Sequence, residues 1–273
     1  VPSRLMRELT PRQRAAAKSL PSASRTALSE WCDVLRHIDE TVHNASAVGG
    51  GAFIARMQAL QKLPTQLASG DARCGYPALA ECMARQSIPA ALLRECIEGA
   101  SLDLVRAQPR DQAQLDQFLF KIAGVPLLVA CRLAGTAEEE LRPTIDRLGA
   151  LAQSISQLPR ISEDLARGRI YLTLEAMNAG GVTREELGRQ EMSPALWEFA
   201  KQLADENARQ LDQLQPQVEA MAPDFPRAFA LATHTDAAES LRAWAAKGHA
   251  FFAPPPPPTL AMRIRGAFGR SPK

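Results

Sequence analysis

Apolar residues recur along this chain at steps of three and four, the period of a helix with one buried stripe. Between Ser22 and His43, the residues Leu28, Trp31, Leu35, Ile38 and Val42 share one stripe, while Arg36, Asp39, Glu40 and His43 fall on the other side. The small residues of ASAVGGGA, 45–52, predict a break after it. The same period predicts helices over 52–69, 77–86 and 90–106, and then a long pair. The first member of the pair, 110–134, ends at Gly135. Its apolar stretch from Ile122 to Gly135 contains Pro126 and Arg132, is too short to span a bilayer, and predicts a buried, slightly kinked helix.

The second member, 137–158, opens with Thr136-Ala137-Glu138-Glu139, the spacing of a capping box. It carries Leu141, Ile145, Leu148, Ala152 and Ile155 on a core face. Gln153, Ser156, Gln157, Arg160 and Asp164 recur on another face, with Pro159 disturbing the phase beyond it. Ser193-Pro194 has the form of an N-cap followed by proline at the first helical position, opening a helix with Leu196, Phe199 and Leu203. A last helix over 226–250 carries Leu231, Leu241 and Trp244. The pattern predicts one helical domain over 1–253, then a stiff Pro-rich spacer and a basic amphipathic tail over 254–273.

Composition sharpens this to an all-α fold. The chain is rich in Ala, Leu, Arg, Glu and Gln, and lacks the alternating Val/Ile/Thr runs of strands. A net charge of +2, from 32 basic and 30 acidic residues, argues against nucleic acid as a partner. The five cysteines form no C-x-x-C pair and follow no signal-like segment, so the expectation is a reduced, cytoplasmic protein. The tail, with Leu260, Met262, Ile264 and Phe268 among arginines, suits either peripheral contact with the inner face of a membrane or, more simply, a terminal helix packed on its own domain or a disordered end.

Two clusters could carry chemistry. On the first helix, Asp39 and His43 lie four residues apart with Glu40 adjacent, a partial shell for a divalent cation. In PRISEDLARGRIYL, 159–172, Glu163 and Asp164 offer oxygens to a hard cation, while Arg167 and Arg169 offer guanidinium forks to phosphate. Gly168 between the arginines permits a turn.

Together the clusters resemble a known family. Residues 20–42, LPSASRTALSEWCDVLRHIDETV, are similar to the squalene/phytoene synthase pattern L-P-x-x-x-R-x-A-L followed by D-D-x-x-D. Residues 148–172, LGALAQSISQLPRISEDLARGRIYL, resemble its second signature, L-G-x-A-x-Q-x-x-N-x-x-R-D-x-x-x-D and R-G-R-x-Y-L-P. Ile97-Glu98-Gly99 with Leu102-Asp103-Leu104, and VPLLVACRLAG, resemble intervening stretches. The resemblance implies a single all-α isoprenoid synthase-type bundle around a central cavity, where two aspartate motifs hold Mg2+ against prenyl diphosphates that are joined head to head. Implied metal ligands are Asp39, Glu40 and Asp164; implied diphosphate contacts are Arg36, Gln153, Arg160, Arg167, Arg169 and Tyr171.

The departures from the pattern weigh against catalysis. His43 and Arg160 stand at expected aspartates, Ser156 at an asparagine and Thr173 at a proline. Arg160 removes a ligand and adds a fixed positive charge where Mg2+ would sit, and histidine suits a hard cation poorly. The favoured expectation is therefore a noncatalytic homologue that binds a prenyl diphosphate or related isoprenoid lipid, or a protein partner. The alternative is an active prenyltransferase using farnesyl or geranylgeranyl diphosphate. No residue is assigned a catalytic role, and use of NADPH is left open.

Overall fold

The computed structural model describes residues 8–43, 50–105, 108–222, 224–248 and 250–252, and every regular element among them is helical. In order they are α1 (Pro11–Ala17), α2 (Ser22–His43), α3 (Gly50–Ala68), α4 (Pro77–Arg85), α5 (Ala90–Val105), α6 (Gln112–Leu119), α7 (Val125–Arg132), α8 (Glu138–Gln157), α9 (Ile161–Ala166), α10 (Leu174–Ala179), α11 (Arg184–Arg189), α12 (Pro194–Glu219) and α13 (Asp224–Ala246). The expected spacer and basic tail at 254–273 lie outside the described residues, as does most of the break at 45–52. Gly50 and Gly51 already belong to α3, so the glycines do not all mark a break.

The helix expected over 110–134 runs as α6, a π turn at Phe120–Gly124 and α7. Pro126 has no N–H to return to the preceding turn, and the shift in hydrogen-bond register before it accommodates that loss. Asp111 caps α6 by accepting from the Gln114 N–H at 2.9 Å. The continuous stretch Gln112–Arg132 is long and apolar enough to cross a membrane by composition, but its most apolar window is 67% buried inside the protein, as a core helix would be.

Helix α8 is the spine. It packs against α7, the π turn, α12 and α13. Its predicted face is buried throughout: Leu141, Ile145 and Leu148 are fully enclosed, with Ala152 and Ile155 at 2% exposure. Burying each of those large side chains contributes about 1.5–3 kcal/mol, enough together to outweigh the roughly 3 kcal/mol cost of proline within a helix. Pro143 is thereby tolerated inside α8. The expected capping box does not form. Ala137 occupies the N-cap, and Thr136 is turned inward with its hydroxyl buried and unpartnered, out of reach of the first-turn N–H groups.

Hydrophobic burial falls into two main clusters that meet along α8. One includes Leu148 and gathers α1 to α5, α7 and the start of α13; the other begins at Leu151 and gathers α9 to α12 and the end of α13. Ser193 caps α12 as predicted, its Oγ accepting from the Leu196 N–H at 3.1 Å behind Pro194. The five cysteines are free thiols, and all but Cys74 are buried.

Candidate functional site

The first cluster is set by the phase of α2. Leu28, Trp31, Leu35, Ile38 and Val42 are each at most 4% exposed, so the helix is fixed by its apolar stripe. Asp39, next to Ile38, is carried inward to 7% exposure. Glu40, a further 100° around the helix, faces solvent. The two carboxylates therefore diverge. Arg36 pairs at 2.6 Å with Asp33 on its own helix. Asp39 borders a small void of about 20 Å³ with Leu35, Ile38, Cys96, Ala100, Ile122 and Pro126, an apolar setting. His43 ends α2, and its side chain lies outside the description.

The second cluster grows from the end of α8. Gln153, Gln157, Arg160 and Asp164 are all buried, at 0%, 4%, 9% and 3% exposure. A 3-10 turn at Leu158–Arg160 carries the chain past Pro159 into α9. Helix α9 ends at Gly168, whose φ of +75° places it in the left-handed region. There the Arg169 N–H donates to the Asp164 carbonyl at 2.8 Å and the Gly168 N–H to the Leu165 carbonyl at 2.8 Å. This paired closure is the glycine-dependent helix stop. It buries Arg169 at 7% exposure and leaves Arg167 outside.

The guanidinium of Arg160 has its Nε 3.5 Å from Glu163 Oε2, and Glu163 also lies 4.0 Å from Arg167. Arg160 Nε and Nη2 have no hydrogen-bond acceptor, and neither amide atom of Gln153 has a partner. Burial pushes the Asp164 carboxyl up from its usual range, against the pull of the Arg160 and Arg167 charges. Beyond Arg169, Tyr171 stacks on Phe118 with ring centroids 5.6 Å apart. Thr173, at the expected proline, is the N-cap of α10, its Oγ1 accepting from the Ala176 N–H at 3.0 Å.

The donor set does not fit a magnesium cluster. Among the described residues no group of three His, Cys, Asp or Glu side chains is placed to hold a metal ion. Mg2+ requires near-octahedral oxygen coordination, and a buried guanidinium beside Asp164 opposes it. From α8 through the 3-10 turn and α9 to the glycine stop, the chain carries a row of buried polar side chains, Gln153, Arg160, Asp164 and Arg169, while Arg167 is exposed and Arg36 pairs with Asp33 on α2.

A cavity of about 430 Å³ lies on the adjoining side of α8, between α6, α12 and the segment 171–176. Of the expected diphosphate contacts it is lined by Tyr171; Gln157, Asp146, Glu206, Asn207 and Gln210 also line it. The sequence signal for these residues is faint. Leu203, Asn207, Gln210 and Leu214 recur at helical spacing on α12, where mixed polarity reads as an ordinary boundary face.

Comparison with known proteins gives this geometry its relatives. The squalene/phytoene synthase profile matches residues 13–263. The chain is 28% identical over 190 residues to the phytoene synthase of Arthrospira platensis, a match covering 62% of this chain and 58% of that protein. It is 25% identical over 201 residues to the phytoene synthase of Pseudescherichia vulneris, covering 70% of this chain and 64% of that one. The chain thus spans less than two thirds of the length of these curated relatives. In fold it is similar to the squalene synthase HpnC of Alicyclobacillus acidocaldarius, with a TM-score of 0.76 at 17% identity over 90% of this chain and 92% of that one. It is also similar to a dehydrosqualene synthase solved with a ligand, with a TM-score of 0.73 at 19% identity over 94% of this chain and 89% of that one. The all-α isoprenoid synthase-type fold and the match along most of the sequence make this chain a member of the squalene/phytoene synthase family.

Proposed function

We propose that this chain is a noncatalytic member of the family that binds a prenyl diphosphate through the arginine row at the end of α8, without magnesium. One observation carries the reading: Arg160 is buried with two N–H groups lacking acceptors, and Gln153, a little earlier in the chain on α8, is fully buried with its whole amide unpartnered. An unsatisfied buried polar group costs about 1–3 kcal/mol, and more when charged. Diphosphate oxygens would relieve that cost at a guanidinium fork. Departure of diphosphate relies on metal cations to take up the developing charge, and Glu40 turned to solvent while Asp39 is buried weighs against the two carboxylates sharing one cation. The row holds the anion and leaves its ester bond intact.

The names of the phytoene synthase relatives favour a second reading, a prenyltransferase that has accommodated Arg160. Purified protein, titrated with farnesyl and geranylgeranyl diphosphate in EDTA and separately incubated with Mg2+ with and without NADPH, tests both. Metal-free binding, weakened at least about tenfold by Arg160→Glu, with no diphosphate release, is the expected result. Diphosphate release that Asp39→Ala and Asp164→Ala abolish at an unchanged melting temperature would establish the prenyltransferase instead. The basic tail at 260–273 would bring the chain to the inner face of an anionic membrane, and sedimentation with phosphatidylserine vesicles with and without the tail tests that part.

A further inference from the structure

We propose that the cavity between α6, α8 and α12 is a binding site for an uncharged amphiphile, an apolar chain carrying one hydroxyl or carbonyl oxygen, and is distinct from the arginine row. Its volume of about 430 Å³ lies within the range of small-molecule sites, about 300–1,000 Å³. Its floor is apolar: Leu115, Leu119, Leu151, Leu158 and Leu214 line it and are each at most 6% exposed.

Charge decides what the cavity takes. Its described lining holds the carboxylates Asp116, Asp146 and Glu206 against a single cation, the exposed Arg147. Glu206 is held by Arg209 at 2.6 Å and by Gln210 at 2.7 Å, Asp146 faces Arg142 at 3.8 Å, and Asp116 accepts from the Gln112 amide at 2.7 Å. The flanking guanidiniums are thus already matched with carboxylates. A diphosphate would have to compete with these carboxylates for guanidiniums already engaged, whereas an uncharged ligand leaves the pairs intact.

Gln157 sets the polar requirement. It lines the cavity at 4% exposure, and its Nε2 has no hydrogen-bond acceptor. A hydroxyl or carbonyl oxygen on the ligand supplies that acceptor, which a pure hydrocarbon cannot. Arg160 and Gln153 do not line the cavity, so a head group held by the arginine row is not what this space is built around.

The test uses the full chain in equilibrium dialysis with farnesol, farnesyl diphosphate and the hydrocarbon farnesene as probes, in EDTA. Farnesol saturates at one per chain. Ala150→Phe, which fills the cavity from α8, lowers farnesol affinity at least about tenfold and leaves farnesyl diphosphate unaffected. Ala176→Phe fills the same space from α10 and gives the same result should the first variant misfold, with circular dichroism reporting the fold. Gln157→Leu weakens farnesol about three- to tenfold and leaves farnesene unchanged. Arg160→Glu leaves farnesol binding intact, so failure of the diphosphate proposal and failure of this one are read separately. The proposal is overturned by absent or non-saturable farnesol binding, by farnesol binding that survives both filling variants, or by loss of both farnesol and farnesyl diphosphate on filling, which would make the cavity the tail end of the diphosphate site.

Discussion

The backbone of α8 at Gly149 rests directly on the backbone of Gly124 in the π turn, so that a β-carbon added at Gly149 would lie 2.6 Å from the Gly124 Cα. The other nearest atoms are the Ala123 carbonyl oxygen and the Gly124 nitrogen, both at 2.8 Å. All are main-chain atoms, which cannot swing aside as a flexible side chain would. This contact sits where the two hydrophobic clusters meet along α8 and fixes how far the π turn stands from it.

Gly149→Ala is therefore expected to destabilise the fold by about 1–3 kcal/mol, the usual range for overpacking, despite alanine's better helix propensity. Gly188 lies in α11 with nothing within 4 Å of an added β-carbon, so Gly188→Ala is the matched control and should leave stability unchanged or slightly raise it. Paired thermal melts check this. Equal melting temperatures for the two variants would mean that α8 and the π turn are free to separate.

The long helices were legible because their burial follows a simple period: the stripe of α2 and the core face of α8 are buried as their spacing predicts. Short elements were not. Helices α1, α10 and α11 have 7, 6 and 6 residues, too few for a periodic signal, and their starts rest on local caps, a lone one at Thr173 and capping boxes at Thr10 and Thr183. Pro126 signals a kink in the sequence, but not that the kink takes the form of a π turn packed on α8. At the site, spacing singled out Gln153, Arg160 and Asp164, and all three are buried although they fall on α8, the 3-10 turn and α9 in succession. It did not reveal that Asp39 and Glu40 diverge, because adjacent residues share a motif without sharing a face.

The position of Arg169 depends on Gly168. At φ +75° a side chain would strain the backbone by about 1–2 kcal/mol, and the stop that closes on the Asp164 and Leu165 carbonyls would loosen. Gly168→Ala is expected to lower stability by about that amount and to weaken farnesyl diphosphate binding more than its stability loss explains, because Arg169 is displaced. Gly168→Asn, better suited to the left-handed region, should recover much of both. Urea melts and a binding isotherm on the two variants decide it; unaltered binding in Gly168→Ala would remove Arg169 from the anion site.

Asp164 gives the chain a pH dependence with a definite sign. Burial raises its carboxyl pKa in the folded state above the ordinary aspartate value of about 3.9, so folding disfavours the charged form. Its titration supports the fold fully below the unfolded value, and that support is lost as pH rises through the folded one. Asp164→Asn, which cannot ionise, should be more stable than the parent at pH 7, with the difference closing below about pH 3.9. Denaturant melts across this range check the sign. A parent more stable than the variant at pH 7 would mean that the Arg160 and Arg167 charges outweigh burial.

Trp31 tests the apolar frame that turns Asp39 inward. Its indole Nε1 donates to the Pro126 carbonyl at 3.0 Å, joining α2 to α7 where the ring itself is fully buried. Trp31→Phe keeps most of the ring but leaves the Pro126 oxygen without that donor and opens space beside it. A cost of about 2–4 kcal/mol follows, from loss of this hydrogen bond together with partial cavity formation. Trp31→Ala removes the ring altogether and should cost about 3–5 kcal/mol or prevent folding. The Phe variant carries the sharper test. If its stability matches the parent in urea, the hydrogen bond to Pro126 contributes nothing net, and the phase of α2, with Asp39 inside and Glu40 outside, rests on apolar packing alone.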